Sequence, residues 1–148
     1  MTDEDAIVAE VRAFYGRYID AWSRRDAAEV ARCYDRPYVG LSGEHELSLV
    51  TSDADHDHWY QQVLTSYDQR GWKRSGIAGL EIWPLSSSLA QLVADVFRYR
   101  QDGSVLDHSR STYMLRRRSD GWKVVAYAVV DPPFSGPSTL DRPMPRVH

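Results

Sequence analysis

Apolar residues recur at spacings of three and four from residue 3 to 24. Ile7, Val11, Phe14, Tyr15, Tyr18 and Trp22 fall on one side, and Asp3, Glu10, Arg17, Asp20 and Arg24 fall largely on the other. That period predicts an amphipathic helix, and Thr2 with Asp5 forms a capping pair at its start. Asp26 then caps a second, short helix, with Glu29 at the capping-box position and Val30, Ala31 and Tyr34 on its apolar side. Pro37, which cannot continue a helix, is expected to end it. Residues 38–42 and 45–51 are candidate strands joined by a turn at Ser42-Gly43. A third helix opens at Ser52 or Asp53 and runs to Arg70 with Trp59, Tyr60, Val63, Leu64 and Tyr67 on its apolar side, and Gly71 stops it. Beyond it the pattern predicts strands at 73–84, 89–100, 105–118 and 122–131, the first made irregular by Gly76 and Gly79.

Helices first and a long antiparallel meander last give an α+β domain over residues 1–131. The helices must cover one face of the sheet, because an apolar face cannot stay wet. Residues 132–148 hold five of the seven prolines and no periodic apolar pattern, and are expected to be disordered or to lie across the surface.

Turn chemistry fixes which strand positions face each other. Gln101-Asp102-Gly103-Ser104 predicts a two-residue hairpin. Its register pairs Arg98 with Asp107, Phe97 with His108, Asp95 with Arg110 and Val93 with Thr112. Reading Arg98 and Arg100 as the solvent face makes Val93, Asp95, Phe97 and Tyr99 the inner face, joined by His108, Arg110, Thr112 and Met114. Around Ser119-Asp120-Gly121, a loop of two or four residues puts Tyr127, Val129 and Asp131 on the face of Arg110, whereas a three-residue loop flips them. The expectation is an inward row of charge, Asp95, Arg110 and Asp131. It is either a structural ion cluster or a site where an arginine positions an acid.

His56 falls on the inward side of the third helix and His58 on the outward side. His108 lies opposite Phe97. Tyr18 stands one turn before Trp22, as a core residue or as a hydrogen-bond donor in a pocket. Asp53, Asp55, His56, Asp57 and His58 do not make a metal site, because one helical turn cannot aim them at one ion and no second ligand set follows.

Composition narrows the function classes. The chain has 148 residues, 43% hydrophobic and 26% charged, with a net charge of −3, which is no footprint for nucleic acid or an anionic membrane. One cysteine, Cys33, precludes an intrachain disulfide and suits a cytoplasmic location. The N-terminus lacks the pattern of a signal peptide, and no apolar run approaches the roughly 20 residues of a membrane span. Phosphate loops, nucleophile elbows and Cys-x-x-Cys pairs are missing, so no cofactor is implied. Five Trp and nine Tyr against three Phe favour rings with a polar handle, which line pockets as well as fill cores.

Three segments carry a family resemblance: Phe14-Tyr15-Gly16-Arg17-Tyr18-Ile19-Asp20-Ala21-Trp22-Ser23-Arg24-Arg25-Asp26, the Tyr34-Asp35 end of the second helix, and Asp120-Gly121-Trp122-Lys123-Val124-Val125. Over residues 5–131 the chain resembles the nuclear transport factor 2-like superfamily, which includes the SnoaL-like polyketide cyclases and ketosteroid isomerase. It is most similar to the SnoaL-like proteins of bacteria. The resemblance implies a cone-shaped, curved antiparallel sheet wrapped by three helices, the cystatin-like α+β barrel. It also implies a pocket for a small hydrophobic organic molecule and a homodimer formed through the sheet. Tyr18 matches the oxyanion-hole tyrosine of ketosteroid isomerase. The positions of that enzyme's acids fall near Ser42 and near Tyr113 or Met114, so its acids are not present. Asp95, Arg110 and Asp131 resemble the ingredients of limonene epoxide hydrolase, with a different strand arrangement. Scytalone dehydratase is similar in using inward His, Tyr and Asp residues.

The functional expectation is a cofactor-independent acid–base enzyme, an isomerase, cyclase, dehydratase or epoxide hydrolase. Asp95 or Asp131 would be its base beside Arg110, His56 or His108 a proton carrier, and Tyr18 an oxyanion donor. The walls would be Trp22, Tyr38, Trp59, Tyr60, Phe97, Thr112 and Tyr127. The alternative is a binding or dimerisation module without chemistry.

Overall fold

The computed structural model describes residues 2–43 and 47–137. Its elements are α1 (Asp3–Ser23), α2 (Ala27–Arg32), β1 (Tyr34–Leu41), β2 (Ser48–Val50), α3 (Asp53–Gln69), β3 (Trp72–Pro84), β4 (Leu89–Arg100), β5 (Val105–Arg118) and β6 (Gly121–Val129).

Local chemistry starts each helix. The Thr2 hydroxyl accepts from the Asp5 N–H and the Asp5 carboxylate accepts from the Thr2 N–H, so two orphan donors at the α1 terminus are satisfied. At the other end Arg25 adopts φ 56, and the N–H groups of Arg25 and Asp26 donate back to the carbonyls of Trp22 and Ala21. This left-handed stop reverses the chain into α2. A residue with a Cβ holds it because the Arg25 guanidinium is tied down, 4.7 Å from the Trp72 ring centroid and 2.8 Å from Asp68. Asp26 caps α2 through the Glu29 N–H and Ser52 caps α3 through the Asp55 N–H.

The second helix is shorter than Pro37 implied. It ends at Arg32, and Tyr34 already pairs with Val124 of β6, so Pro37 sits within β1. Residues 45 and 46 of the expected second strand lie outside the described residues, and β2 covers Ser48–Val50.

The sheet is six-stranded, curved and unclosed, in the order β2-β1-β6-β5-β4-β3. From β3 to β6 it is the expected antiparallel meander, whereas β1 joins β6 in parallel. Helix α1 packs along β3, and α3 follows beside it. The core lies between these helices and one sheet face. Val11, Phe14, Tyr15, Tyr18 and Trp22 of α1 meet Ala90, Leu92, Ala94 and Val96 of β4 and Tyr113 and Leu115 of β5.

The hairpin register is the expected one, with Arg98 opposite Asp107, Phe97 opposite His108, Asp95 opposite Arg110 and Val93 opposite Thr112. The facing is reversed. Ala94, Val96 and Arg98 look toward the helices together with Ser109, Ser111 and Tyr113, so Asp95, Phe97, His108, Arg110 and Thr112 occupy the outer face. At the second hairpin Arg117 stands opposite Trp122, but a bulge at Val125 shifts the pairing so that Tyr127 meets Tyr113 and Val129 meets Ser111. One inserted residue flips every later side chain. Tyr127 and Val129 therefore face the helices, as expected, although not on the side of Arg110.

After β6 the chain turns back across the outer face. The Val130 N–H donates to the Arg110 carbonyl and the Ser135 carbonyl accepts from the Arg110 guanidinium at 2.6 Å. Residues 138–148 of the Pro-rich tail lie outside the described residues. No described helix is long and apolar enough to cross a membrane.

Leu92 is fully buried in the face that meets the helices. Leu92→Ala should lower unfolding free energy by about 2–5 kcal/mol in urea titration, through lost apolar burial and an unfilled space.

Candidate functional site: a tyrosine-rich cavity between helices and sheet

A cavity of about 660 Å³ lies between α1, α3 and the inner sheet face. It exists because the floor is made of small side chains. Ala94 and Ser111 are directly opposed across β4 and β5, and Val96 is opposed to Ser109. Rings form the walls: Tyr15, Tyr18 and Trp22 from α1, Trp59 and Tyr67 from α3, and Tyr34, Trp72, Tyr113 and Tyr127 from the strands. Gly40 is required on β1, because a Cβ there would meet the phenol end of Tyr127.

The rings brace one another. Tyr15 and Tyr18 each contact Tyr113 at centroid separations of 5.5 and 6.0 Å, and Trp22 lies edge-on to Trp59 at 6.0 Å. The hydroxyls of Tyr18 and Tyr34 are 2.5 Å apart. Tyr18 also interacts with the Tyr113 hydroxyl, so the phenols form a chain in which Tyr18 bridges Tyr34 and Tyr113. Burial raises the Tyr18 and Tyr34 phenol pKa values well above the ordinary range, and burial likewise pushes Tyr127 up to about 12. These groups are neutral hydrogen-bonding walls at any physiological pH.

Arg98, read from sequence as solvent-facing, lines the cavity instead. It donates to Asp107 at 2.9 Å and to the Tyr67 hydroxyl at 3.1 Å, with its charge 4.8 Å from the Tyr67 ring centroid. Among the described residues that line the cavity there is no carboxylate and no imidazole.

The expected site residues divide into separate groups. Tyr18, Trp22, Trp59 and Tyr127 line the cavity. Tyr38, His56 and Tyr60 are buried behind that wall. The Tyr38 hydroxyl and His56 Nδ1 are 2.8 Å apart, and the His56 ring packs 5.7 Å from that of Trp59. Burial, assisted by the Arg36 charge, lowers the His56 pKa to about 4, so the imidazole is neutral.

Asp95, Arg110 and His108 do come together, on the face away from the cavity. One oxygen of Asp95 accepts from Arg110 Nε at 2.7 Å and lies 2.8 Å from His108 Nε2. Their side chains are at most 1% exposed, closed over by the returning chain at Ser135. Phe97 stacks on His108 with centroids 4.9 Å apart, and Thr112 meets Gln91 on the same side. Asp131 is not part of this trio. It lies against Gly43. Placing the trio, Phe97 and Thr112 on the inner wall is thus corrected. Arg98 tolerates the inner face because Asp107 and Tyr67 satisfy it.

Comparison with known proteins agrees with this geometry. The model of the NTF2-like protein family DUF6841 matches residues 9–132. The chain belongs to this NTF2-like family. No curated protein matches it in sequence. An NTF2-like protein of unknown function from Pseudomonas putida KT2440 superposes with a TM-score of 0.69 at 16% identity, over 86% of this chain and 88% of that one. A ketosteroid isomerase-like protein from Erwinia carotovora atroseptica gives 0.63 at 17% identity, over 84% and 96%. A Catenulispora acidiphila protein in complex with S-DNPA gives 0.66 at 18% identity, over 85% and 93%. At these identities the likeness is one of fold, and other neighbours are described as NTF2-like with a cystatin-like fold.

Two outcomes follow from the buried polar groups. Asp95→Ala leaves Arg110 and His108 facing each other without their shared acceptor. It should cost about 3–5 kcal/mol in chemical denaturation and leave ligand affinity of the cavity unchanged when measured well below the denaturation midpoint. His56 is neutral when folded and takes up a proton near its ordinary pKa when unfolded. Its contribution is therefore complete above about pH 6.5 and lost as pH falls toward 4. Stability measured against pH should lose ~2 kcal/mol more over that window in the native chain than in His56→Gln.

Proposed function

We propose that this chain binds a small, planar, largely apolar organic molecule in the cavity. The observation that carries the reading is the wall itself: about 660 Å³ lined by rings and hydroxyls, with a floor of Ala94, Val96, Ser109 and Ser111. Pockets for small molecules are of this size and of this mostly apolar lining with a few convergent polar groups. A fold neighbour from Catenulispora acidiphila holding S-DNPA is in keeping with such use.

Binding is favoured over acid–base turnover by the absence of a base from the described lining residues. Asp95 and His108, expected as base and proton carrier, lie on the far face, where one Asp95 oxygen is bonded to both His108 and Arg110. One observation favours a narrower catalytic reading. Tyr34, Tyr18 and Tyr113 form a chain of phenol hydroxyls along the wall, and the proton at the Tyr113 end could polarise a ligand carbonyl, in a fold whose neighbours include a ketosteroid isomerase-like protein. Asp131, near the Ser42 side of the cavity, would then be the carboxylate available to move a proton.

Ser111→Phe tests the binding reading, because it fills the floor from within. Titration with the neutral probe 2-naphthol, read by tryptophan fluorescence, should show binding to the native chain. The variant should lose it by at least about tenfold while keeping its circular dichroism and a cooperative melt. Unchanged affinity in a folded Ser111→Phe would remove the cavity from consideration.

A further inference from the structure

We infer that one end of the cavity is an anchor for a carboxylate, so that the ligand class is an aromatic carboxylic acid rather than a neutral hydrocarbon. This deepens the binding reading and rests on it. The anchor consists of Arg98, Tyr67 and Ser75, which all line the cavity, with Ser75 directly opposite Arg98 across β3 and β4.

Each of the three lines this end and keeps at least one N–H or O–H beyond those its bonds use. The Arg98 side chain is 18% exposed and spends one nitrogen on Asp107 and one on Tyr67. The Tyr67 oxygen accepts from Arg98, so its own O–H is free to donate, and the cation behind it strengthens that donation. The Ser75 oxygen accepts from Trp72 Nε1 at 3.0 Å, which leaves its O–H free in the same way.

Charge balance gives the sign. Asp107 is shared between two guanidiniums, Arg98 and Arg70, so the three groups together carry one excess positive charge. Burial acts to raise the Asp107 pKa, but the two arginines outweigh it and hold the carboxyl below its ordinary range, so the count applies at neutral pH. Asp68, the acid near this end of α3, is already engaged by Arg25. The cavity therefore offers donors and a surplus of positive charge at one end and ring faces along its length. A planar aromatic body with a terminal carboxylate matches both.

The test compares 2-naphthoate with 2-naphthamide, which has the same shape and no charge, by calorimetry and tryptophan fluorescence. The native chain should bind the acid about tenfold more tightly than the amide. Arg98→Gln should bring the acid down to the affinity of the amide and leave the amide unchanged. Its fold is expected to hold because Asp107 keeps Arg70 as partner. Asp107→Asn, which frees both guanidiniums, should widen the preference severalfold and does not depend on the first variant folding. Equal binding of acid and amide by the native chain overturns the anchor and leaves the cavity reading standing. A preference that survives in folded Arg98→Gln, or does not widen in Asp107→Asn, also overturns it. Failure of both probes to bind overturns the cavity reading and the anchor with it.

Discussion

The structure turns on a floor of small side chains placed opposite large ones. Across the middle of β4 and β5 the inner face carries Ala94 against Ser111 and Val96 against Ser109. Above them α1 and α3 present Tyr15, Tyr18, Trp22, Trp59 and Tyr67. Rings held in a mutually braced cluster cannot collapse onto so low a floor, because each is already in contact with the next. Closing the gap would break those contacts. The side chains around a cavity of this size forgo packing contacts with one another, which an occupant would supply.

The same two strands hold a second arrangement on their other face. Asp95, His108 and Arg110 are paired beneath the returning chain at Ser135. Alternation along a strand makes these neighbours of the floor, one residue away from Ala94, Val96, Ser109 and Ser111. A slip of the β4–β5 register by one residue would bury these charges among the rings and put the serines outside. The trio is thus compatible only with the register that places the floor toward the helices, a register that the Asp102-Gly103 turn also sets. Residues whose types, taken alone, read as catalytic are here bonded to one another away from the cavity.

Much of the fold was legible because its signals are local and periodic. The 3.6-residue period, the Thr2, Asp26 and Ser52 caps and the Asp102-Gly103 turn each determine nearby backbone without reference to tertiary packing. The facing of the hairpin was not legible by the same route. It was read from Arg98 and Arg100, and an arginine can turn inward when a partner such as Asp107 is waiting there. A better signal was present in the even positions of β4. Ala90, Leu92, Ala94 and Val96 are apolar up to Arg98, whereas the odd positions of the same stretch include Gln91 and Asp95. The bulge at Val125 left no mark in composition, since neither glycine nor proline accompanies it. Tyr127 reaches the cavity wall, as its pattern predicts, because two reversals, one of facing and one of register, cancel. The inward tyrosines Tyr15, Tyr34 and Tyr113 carry no sequence signal of a cavity, because a buried phenol reads as core unless the space beside it is known.

The central claim is that an organic ring enters between the helices and the floor. Tryptophan positions make this directly measurable, since Trp22, Trp59 and Trp72 line the cavity and Trp83 and Trp122 do not. The decisive measurement is the set of indole N–H resonances in a ¹H–¹⁵N spectrum during addition of a neutral aromatic probe. Entry of the probe into the cavity requires the signals of Trp22, Trp59 and Trp72 to move together and saturably, with Trp83 and Trp122 unmoved. Movement confined to the half-exposed Trp83, or no movement among the three cavity tryptophans at saturating probe, would contradict it.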